Sequence, residues 1–580
     1  MPGFFVSNDI CRHALRNLFP ERCLSESLSL QDMTACRNTL RAFPADKAFE
    51  SNAEGIIVSE GVILNKKELF QKYDCGNVND LLRRMYAENG EGFVSELRGP
   101  FSCAMFIRKT NLWLVYTNPV GDETVYYALS GGKFYAGSQV NYVLDACREK
   151  KIPLSLDTQA AYELLTFGYM ESTKTIANEV HRLRGGTYLR VQDGSAEICE
   201  YHRFEKHPER LNGHSENDIL AELDERFRHA VEMEYAKDEE YGLRHFAEIS
   251  GGMDARMSMW VAHSMKQRHI QLLTYGMSDY LDERYSKRIA AHWQDELFVK
   301  PLNDGSFFFD MDENTFMLGG LSPYEAITGG RRALEAMNLS QYGLDHTGQI
   351  GDAVIGCFCR SREEMLRNEP RKRASERLAH RLEKNAYHNS FSDHELYLLY
   401  TRAFQGACNT HQLRRNFAEP VSPFMDTDFL QFCLDIPMDM RTNRKLYNHW
   451  VIRCYPAAAE IPWEGTGGKI TDDRLQKFWH RLKKRGPDKL MEMLGMPEKA
   501  HFSMNPLDYI VRTNPDIRQW MDKREKAGYA NLPENAPEEL VADMKSMFRE
   551  GTVDEQCQVL TVLSAVKFYF GGEYAESEKV

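Results

Sequence analysis

The sequence predicts an α/β protein in two parts: a strand-rich antiparallel first part, and a second part built on a parallel sheet with a helical C-terminal extension. Three observations carry this. The first ~200 residues read as strands and short helices with frequent turn signals. Residues 245–299 alternate strand, helix, strand, helix, strand, at the spacing of a parallel α/β sheet. Between them, residues 205–214 (Glu205 to His214) are polar and broken by Pro208 and Gly213, the composition of a linker. The length of 580 residues points the same way, since it exceeds what one hydrophobic core usually supports.

Taken in chain order, Pro100 to Ile107 is a strand-like run, Arg108-Lys109-Thr110 a turn, and Asn111 to Thr117 the next strand. Phe134-Tyr135-Ala136-Gly137 continues the pattern, and Asn141-Tyr142-Val143-Leu144 begins a short helix. Gly185 to Val191, then Asp193-Gly194, then Glu197 to Tyr201, reads as a hairpin on a D-G turn. After the linker, Ser215 can cap a helix with Asp218 in the place of the capping-box acid. Ile219, Leu220, Leu223, Phe227, Ala230 and Val231 then fall on one helical stripe. The alternation follows: strand His245–Ile249, helix Asp254–Lys266, strand Ile270–Tyr275, helix Asp282–Trp293, strand Glu296–Val299. Beyond about residue 360 the signal is mostly helical, with charged runs such as Arg371-Lys372-Arg373 that suit solvated helix faces.

Composition excludes several classes. With 72 basic and 85 acidic residues the formal net charge is −13. Such a chain repels phosphate backbones and anionic lipid, so neither nucleic acid nor a membrane surface is expected as its main partner. No apolar run approaches the ~20 residues of a membrane span. The opening Met1-Pro2-Gly3-Phe4-Phe5-Val6 lacks the basic and long apolar regions of a secretory signal. The 13 cysteines are scattered, which suits free thiols and a cytoplasmic location. Cys357 and Cys359 stand too close for a usual zinc pair and read as two small, partly buried residues.

Ser250-Gly251-Gly252-Met253-Asp254 ends the first strand of the alternating region and opens its helix. Glycines there let backbone approach a ligand, and a helix N-terminus offers unpaired N–H groups to an anion. An acid just inside that helix makes sense beside phosphate if Asp254 holds Mg²⁺. The same five residues also suit a tight strand-to-helix turn with Asp254 as a stabilising first-turn acid.

This loop resembles the pyrophosphate loop of ATP pyrophosphatases, the group that contains asparagine synthetase. The resemblance extends to Thr347-Gly348-Gln349-Ile350-Gly351-Asp352-Ala353-Val354-Ile355-Gly356, to Glu419 with Pro423-Phe424-Met425-Asp426 and Leu434-Asp435-Ile436-Pro437, and to Ile461-Pro462 followed by Lys469. It implies that ATP is cleaved between its α and β phosphates and that a carboxylate is adenylated. It further implies that Ile249, Ser250, Gly251, Gly252, Asp254, Tyr275, Gly276, Thr347 and Gly348 bind ATP, that Asp254 and Asp352 hold Mg²⁺, and that Lys469 meets phosphate charge. The sequence departs from the family pattern at Ala255, Ala353 and Val421, and at Gln349, which stands where the family has a candidate general base and cannot accept a proton. The Glu419–Pro437 stretch reads better as a helix-packing motif.

Residues 1 to about 203 resemble the N-terminal-nucleophile glutaminase domain of class II amidotransferases, through Gly61 to Leu69, Leu97-Arg98-Gly99-Pro100-Phe101, Tyr135 to Ser138, and Phe167-Gly168-Tyr169 leading to His181-Arg182-Leu183. The implied architecture is an αββα sandwich over 1–205 and a synthetase domain over 215–580. The family's nucleophile follows the initiator Met, and here that place is Pro2, which has no nucleophilic side chain. Glutamine hydrolysis is therefore expected to be absent, with ammonia free, delivered by a partner, or replaced by a substrate amine. Relatives of this kind include β-lactam synthetase, and family members often pair through the N-terminal domain. The rival expectation is a non-catalytic binding or scaffold descendant. An RNA-thiolation type of ATP pyrophosphatase fits the loop but not the acidic charge.

Overall fold

The computed structural model describes residues 1–12, 21–30, 32–327, 330–359, 361–366, 374–383, 386–494 and 503–571. The run Arg371-Lys372-Arg373 lies outside these. Among the described residues, two antiparallel six-stranded sheets and one parallel five-stranded sheet give a mixed α/β fold. The first sheet holds β1 (Gly3–Ser7), β2 (Cys23–Leu30), β3 (Met33–Leu40), β8 (Tyr126–Ser130), β9 (Lys133–Gly137) and β10 (His181–Arg182), in the order β10-β8-β9-β1-β3-β2. The second holds β4 (Phe49–Ser51), β5 (Gly55–Gly61), β6 (Phe101–Ile107), β7 (Leu112–Thr117), β11 (Thr187–Gln192) and β12 (Ser195–Glu200), in the order β12-β11-β7-β6-β5-β4.

Strand alternation explains how these sheets stack. Successive side chains point to opposite faces. Phe4, Val6, Ile56, Val58, Ala104, Phe106, Trp113 and Val115 fill the space between the two sheets, with Phe106 stacked on Trp113 at 5.0 Å. Their neighbours Ile57, Met105, Leu114 and Tyr116 face the other way, against α1 (Lys66–Lys72) and α2 (Val78–Asn89). On the far side, Phe5, Tyr126 and Tyr135 pack with α3 (Val140–Glu149) and α4 (Thr158–Phe167). With both faces buried, β1, β6 and β7 become nearly continuous apolar runs. The D-G hairpin closes between Gln192 and Ser195, with Asp193 and Gly194 both at positive φ, 49° and 81°.

The third sheet runs β15-β14-β13-β16-β17, from β13 (Arg244–Glu248), β14 (Gln271–Gly276), β15 (Leu297–Pro301), β16 (Tyr342–His346) and β17 (Pro420–Val421). Every pairing is parallel. Leading into it is α5 (Glu216–Glu240), which has the Ser215–Asp218 capping box and buries the expected stripe. The helices α6 (Asp254–Ser264) and α7 (Leu281–Trp293) join the first three strands. The sequence reading placed these strands and helices to within about two residues, the usual error at element ends. It did not expect β16. That strand is polar because α5 supplies its partners: Asp238 accepts from Leu344 N at 2.8 Å and sits 2.8 Å from His346 Nε2.

The two parts share buried contacts. Lys47 pairs with Glu419 at 2.9 Å, Arg415 with Asp122 at 3.0 Å, and the helix Val553–Phe570 packs on α4. Among the described residues, no helix is long and apolar enough to cross a membrane.

Candidate active site

The crevice follows from topology. β13 comes first in the parallel sheet; the chain then runs outward to β14 and β15 on one side and returns to β16 on the other. Open α/β sheets hold ligands where this direction reverses, beyond the carboxyl ends of the strands. The turn after β13 and the loop after β16 both emerge there, beside a cavity of about 410 Å³. Its lining includes Ile249, Ser250, Gly252, Asp254, Tyr275, Thr347 and Gly348, seven of the nine residues expected to touch ATP.

Both loops need glycine where they meet. A Cβ on Gly348 would lie 2.1 Å from Ala255 N and 2.4 Å from Asp254 C, so this loop rests directly on the first turn of α6. Gly251 is as tightly held, its N–H donating to Asp282 Oδ1 at 2.9 Å and its carbonyl accepting from Glu464 N at 3.0 Å. Arg256, fully buried, donates to Gly251 O at 3.2 Å, Ile461 O at 2.9 Å and Pro462 O at 2.8 Å. It thereby ties the Ile461-Pro462 segment to the glycine turn. Thr347 donates through N and Oγ1 to Val421 O at 2.9 and 2.8 Å, fixing the second loop to β17. Ile350 sits in the left-handed region at φ 61°, a costly place for a β-branched residue.

The two predicted acids converge. Asp352 N donates to Asp254 Oδ2 at 2.9 Å, and Tyr447 OH donates to Asp254 Oδ1 at 2.8 Å. Burial, and then the neighbouring Asp352 charge, push the Asp254 carboxyl up to about 7. A cation between the two would reverse that. Arg444 lies beside them, 3.1 Å from Asp352 Oδ2 and over the Trp463 ring at 4.7 Å. Asn443 and Arg444 are both left-handed, at φ 55° and 60°.

Several side chains here escaped the sequence reading. Arg444 and Trp463 line the cavity and carried no local signal. Arg414 forms its floor, paired with Glu248 and, at 3.3 Å, with Asp345, and donating to Tyr275 OH at 3.3 Å. Asp282 was read only as a helix start, yet it holds the glycine turn.

Gln349 also lines the cavity, while other predicted residues lie outside it. The Lys469 side chain is not among the cavity-lining groups; its Nζ reaches Glu460 Oε2 at 2.5 Å and is partly exposed. Gln349 donates from Nε2 to Ala407 O at 2.7 Å. Glu419 is buried against Lys47, and Asp426 caps the helix Thr427–Asp435, the packing duty expected of that stretch. At the other end of the chain, Pro2 precedes the central strand β1, and its carbonyl accepts from Gln139 Nε2 at 2.8 Å.

Residues 45–202 match the family profile of a glutamine amidotransferase domain. The N-terminal region is amidotransferase-like. A putative glutamine-hydrolysing asparagine synthetase of Methanocaldococcus jannaschii is 24% identical over 207 residues, which cover 35% of this chain and 39% of that relative. The chain thus matches about two fifths of the relative's length. Two solved structures overlap loosely with it, at a TM-score of 0.23 each. One is the glutamine phosphoribosylpyrophosphate amidotransferase of B. subtilis complexed with ADP and GMP, 10% identical, with 51% of this chain and 80% of that one covered. The other, an allosteric regulatory enzyme of purine biosynthesis, is 9% identical, with 52% and 74% covered.

Proposed function

We propose that the chain is an ATP-dependent amide-forming synthetase of asparagine synthetase type, with a silent amidotransferase-like region at residues 1–205 and the synthetase at 215–580. One observation carries the reading: the glycine turn before Asp254 and the loop bearing Asp352 meet at the point where the parallel sheet reverses direction. Two carboxylates on separate loops, brought together where the Asp352 backbone N–H donates to Asp254, suit an oxygen-seeking cation such as Mg²⁺. That ion, when bound, would neutralise phosphate charge.

The remaining work falls to the chain's own residues. Asp282 and Ser250 hold the N–H groups of Gly251 and Gly252, so the turn would meet phosphate through the positive N-terminal end of α6 that it opens. Tyr275 and Arg414 form the floor behind them. The substrate carboxylate attacks the α-phosphorus, pyrophosphate leaves, and an amine then displaces AMP from the acyl carbon. Lys469 belongs to a flexible, partly exposed side chain that can leave Glu460 for developing phosphate charge. Gln349 cannot take the proton of the incoming amine, so the nucleophile must arrive neutral or lose its proton to another group. The M. jannaschii relative's name speaks of glutamine hydrolysis, but Pro2 occupies the place of the nucleophile here, and added glutamine should yield no glutamate.

The test is pyrophosphate release from ATP and Mg²⁺ over a panel of carboxylates with ammonia. Release that depends on one carboxylate is the expected result. No release with any of them, together with no binding of a non-hydrolysable ATP analogue, would reduce the chain to a scaffold.

A further inference from the structure

The helix Arg474–Met493 faces the wrong way for a helix that packs only on its own chain. Its sequence puts Lys477, His480 and Lys484 on one face, at helical spacing. That face is turned inward: Lys477 Nζ donates to Ile470 O at 2.9 Å, His480 pairs with Asp472 at 3.3 Å, and Lys484 Nζ donates to Glu464 O at 2.7 Å. The opposite face carries Leu475, Phe478, Trp479, Leu482, Leu490 and Met493, between 50% and 85% exposed. An exposed apolar stripe of this kind, densest from Leu475 to Leu482, marks an interaction site.

Charge says what covers it. The helix has seven lysines and arginines against two acids, in a chain whose formal net charge is −13. Exposed Arg474, Arg481, Lys483 and Lys489 flank the apolar stripe. A second copy docked symmetrically on the same face would set these cations against each other. A broad anionic bilayer would meet the acidic remainder of the chain as well as this strip. A narrow acidic, amphipathic segment meets only the strip.

We infer that the face of Leu475, Phe478, Trp479 and Leu482 is a docking surface for an acidic amphipathic segment of a partner polypeptide. The surface adjoins the cleft. Lys484 is bolted to Glu464, whose backbone N–H holds Gly251 O, and Trp463 and Glu464 line the cavity. The inference does not depend on which reaction the cleft performs.

A fluorescent acidic peptide of about 20 residues, with leucines at helical spacing and glutamates elsewhere, is titrated with the full-length chain and followed by anisotropy. Saturable binding that weakens with salt is expected. It should fall about tenfold in the Phe478→Ser/Trp479→Ser double variant, and again in Arg481→Glu/Lys483→Glu. These positions are exposed, so an unchanged melting temperature checks the fold. Equal binding of a scrambled peptide of the same composition, or no binding at all, would overturn the inference. So would capture by phosphatidylserine vesicles without peptide binding, or a dimer in sedimentation that Trp479→Ser dissolves.

Discussion

The chain contains two strand ends that could serve a reaction, the start of β1 and the end of β13, and they are built in opposite ways. At the first, polar groups are satisfied from within: Gln139 holds Pro2 O, Ser138 Oγ accepts from Phe4 N at 2.8 Å, and burial lowers the Met1 amine to about 6. At the second, two acids stand together, an arginine leans over them, and Ile350, Asn443 and Arg444 keep left-handed backbones. Strain and like-charge crowding cost stability and persist where a fold is held for a purpose. Under the proposed function the first strand end has no reaction to hold open and packs as ordinary structure, while the second keeps its strain for one.

The sharpest way to break this contrast is to remove the acids. Asp254→Asn or Asp352→Asn should lower carboxylate-dependent pyrophosphate release by about a thousandfold, the equivalent of roughly 4 kcal/mol, as a lost metal ligand would. Normal turnover in either variant would return the glycine turn to a purely structural role. Pro2→Ala, by contrast, should leave that release unchanged.

The next effect lies on the seam between the two regions. Lys47 and Glu419 are both buried and 2.9 Å apart. Lys47→Ala strands a buried carboxylate and should cost about 3 kcal/mol in urea unfolding. The double change Lys47→Met/Glu419→Leu should cost less than the single one. If the single change is silent, the seam is not a structural joint.

A smaller effect separates two glycines of the cleft. Gly348→Ala would drive its Cβ into the backbone of Asp254 and Ala255 and should cost about 2 kcal/mol along with activity. Gly252→Ala meets only Ser250 Oγ at 3.1 Å, and its melting temperature should stay near that of the parent.

How much of this was legible beforehand depended on whether the signal was local. The first three strands of the parallel sheet, the capping box at Ser215 and the D-G hairpin are written in short stretches, and the sequence showed them. The glycine turn and Asp254 were legible for the same reason. β16 was hidden because Gly343, Asp345 and His346 look nothing like a strand until α5 brings Asp238 against Gly343 and His346 and Arg414 pairs with Asp345. Arg414, Arg444 and Trp463 reach the cavity from segments far apart in sequence, and no spacing rule announces that. Asp254 and Asp352 were named from resemblance; in the folded chain the Asp352 backbone N–H donates to the Asp254 carboxylate.

The smallest predicted effect concerns Asp254 alone, and its sign can be worked out. Its carboxyl is pushed up to about 7, from the ordinary aspartate value of 3.8, by burial and by the Asp352 charge. The folded chain therefore holds this proton more tightly than the unfolded chain does. That contribution to stability is complete below pH 4 and is lost as pH rises toward 7 and beyond. Asp254→Asn removes the titration, so without added metal the variant should gain in melting temperature over the parent at pH 8 and gain less at pH 5. Mg²⁺ at pH 8 should lift the parent by a few degrees and leave the variant unmoved, because only the ionised pair can hold the ion. A parent that ignores Mg²⁺ at pH 8 would mean that the two acids meet for packing alone, and the difference between the two strand ends would then be one of strain without chemistry.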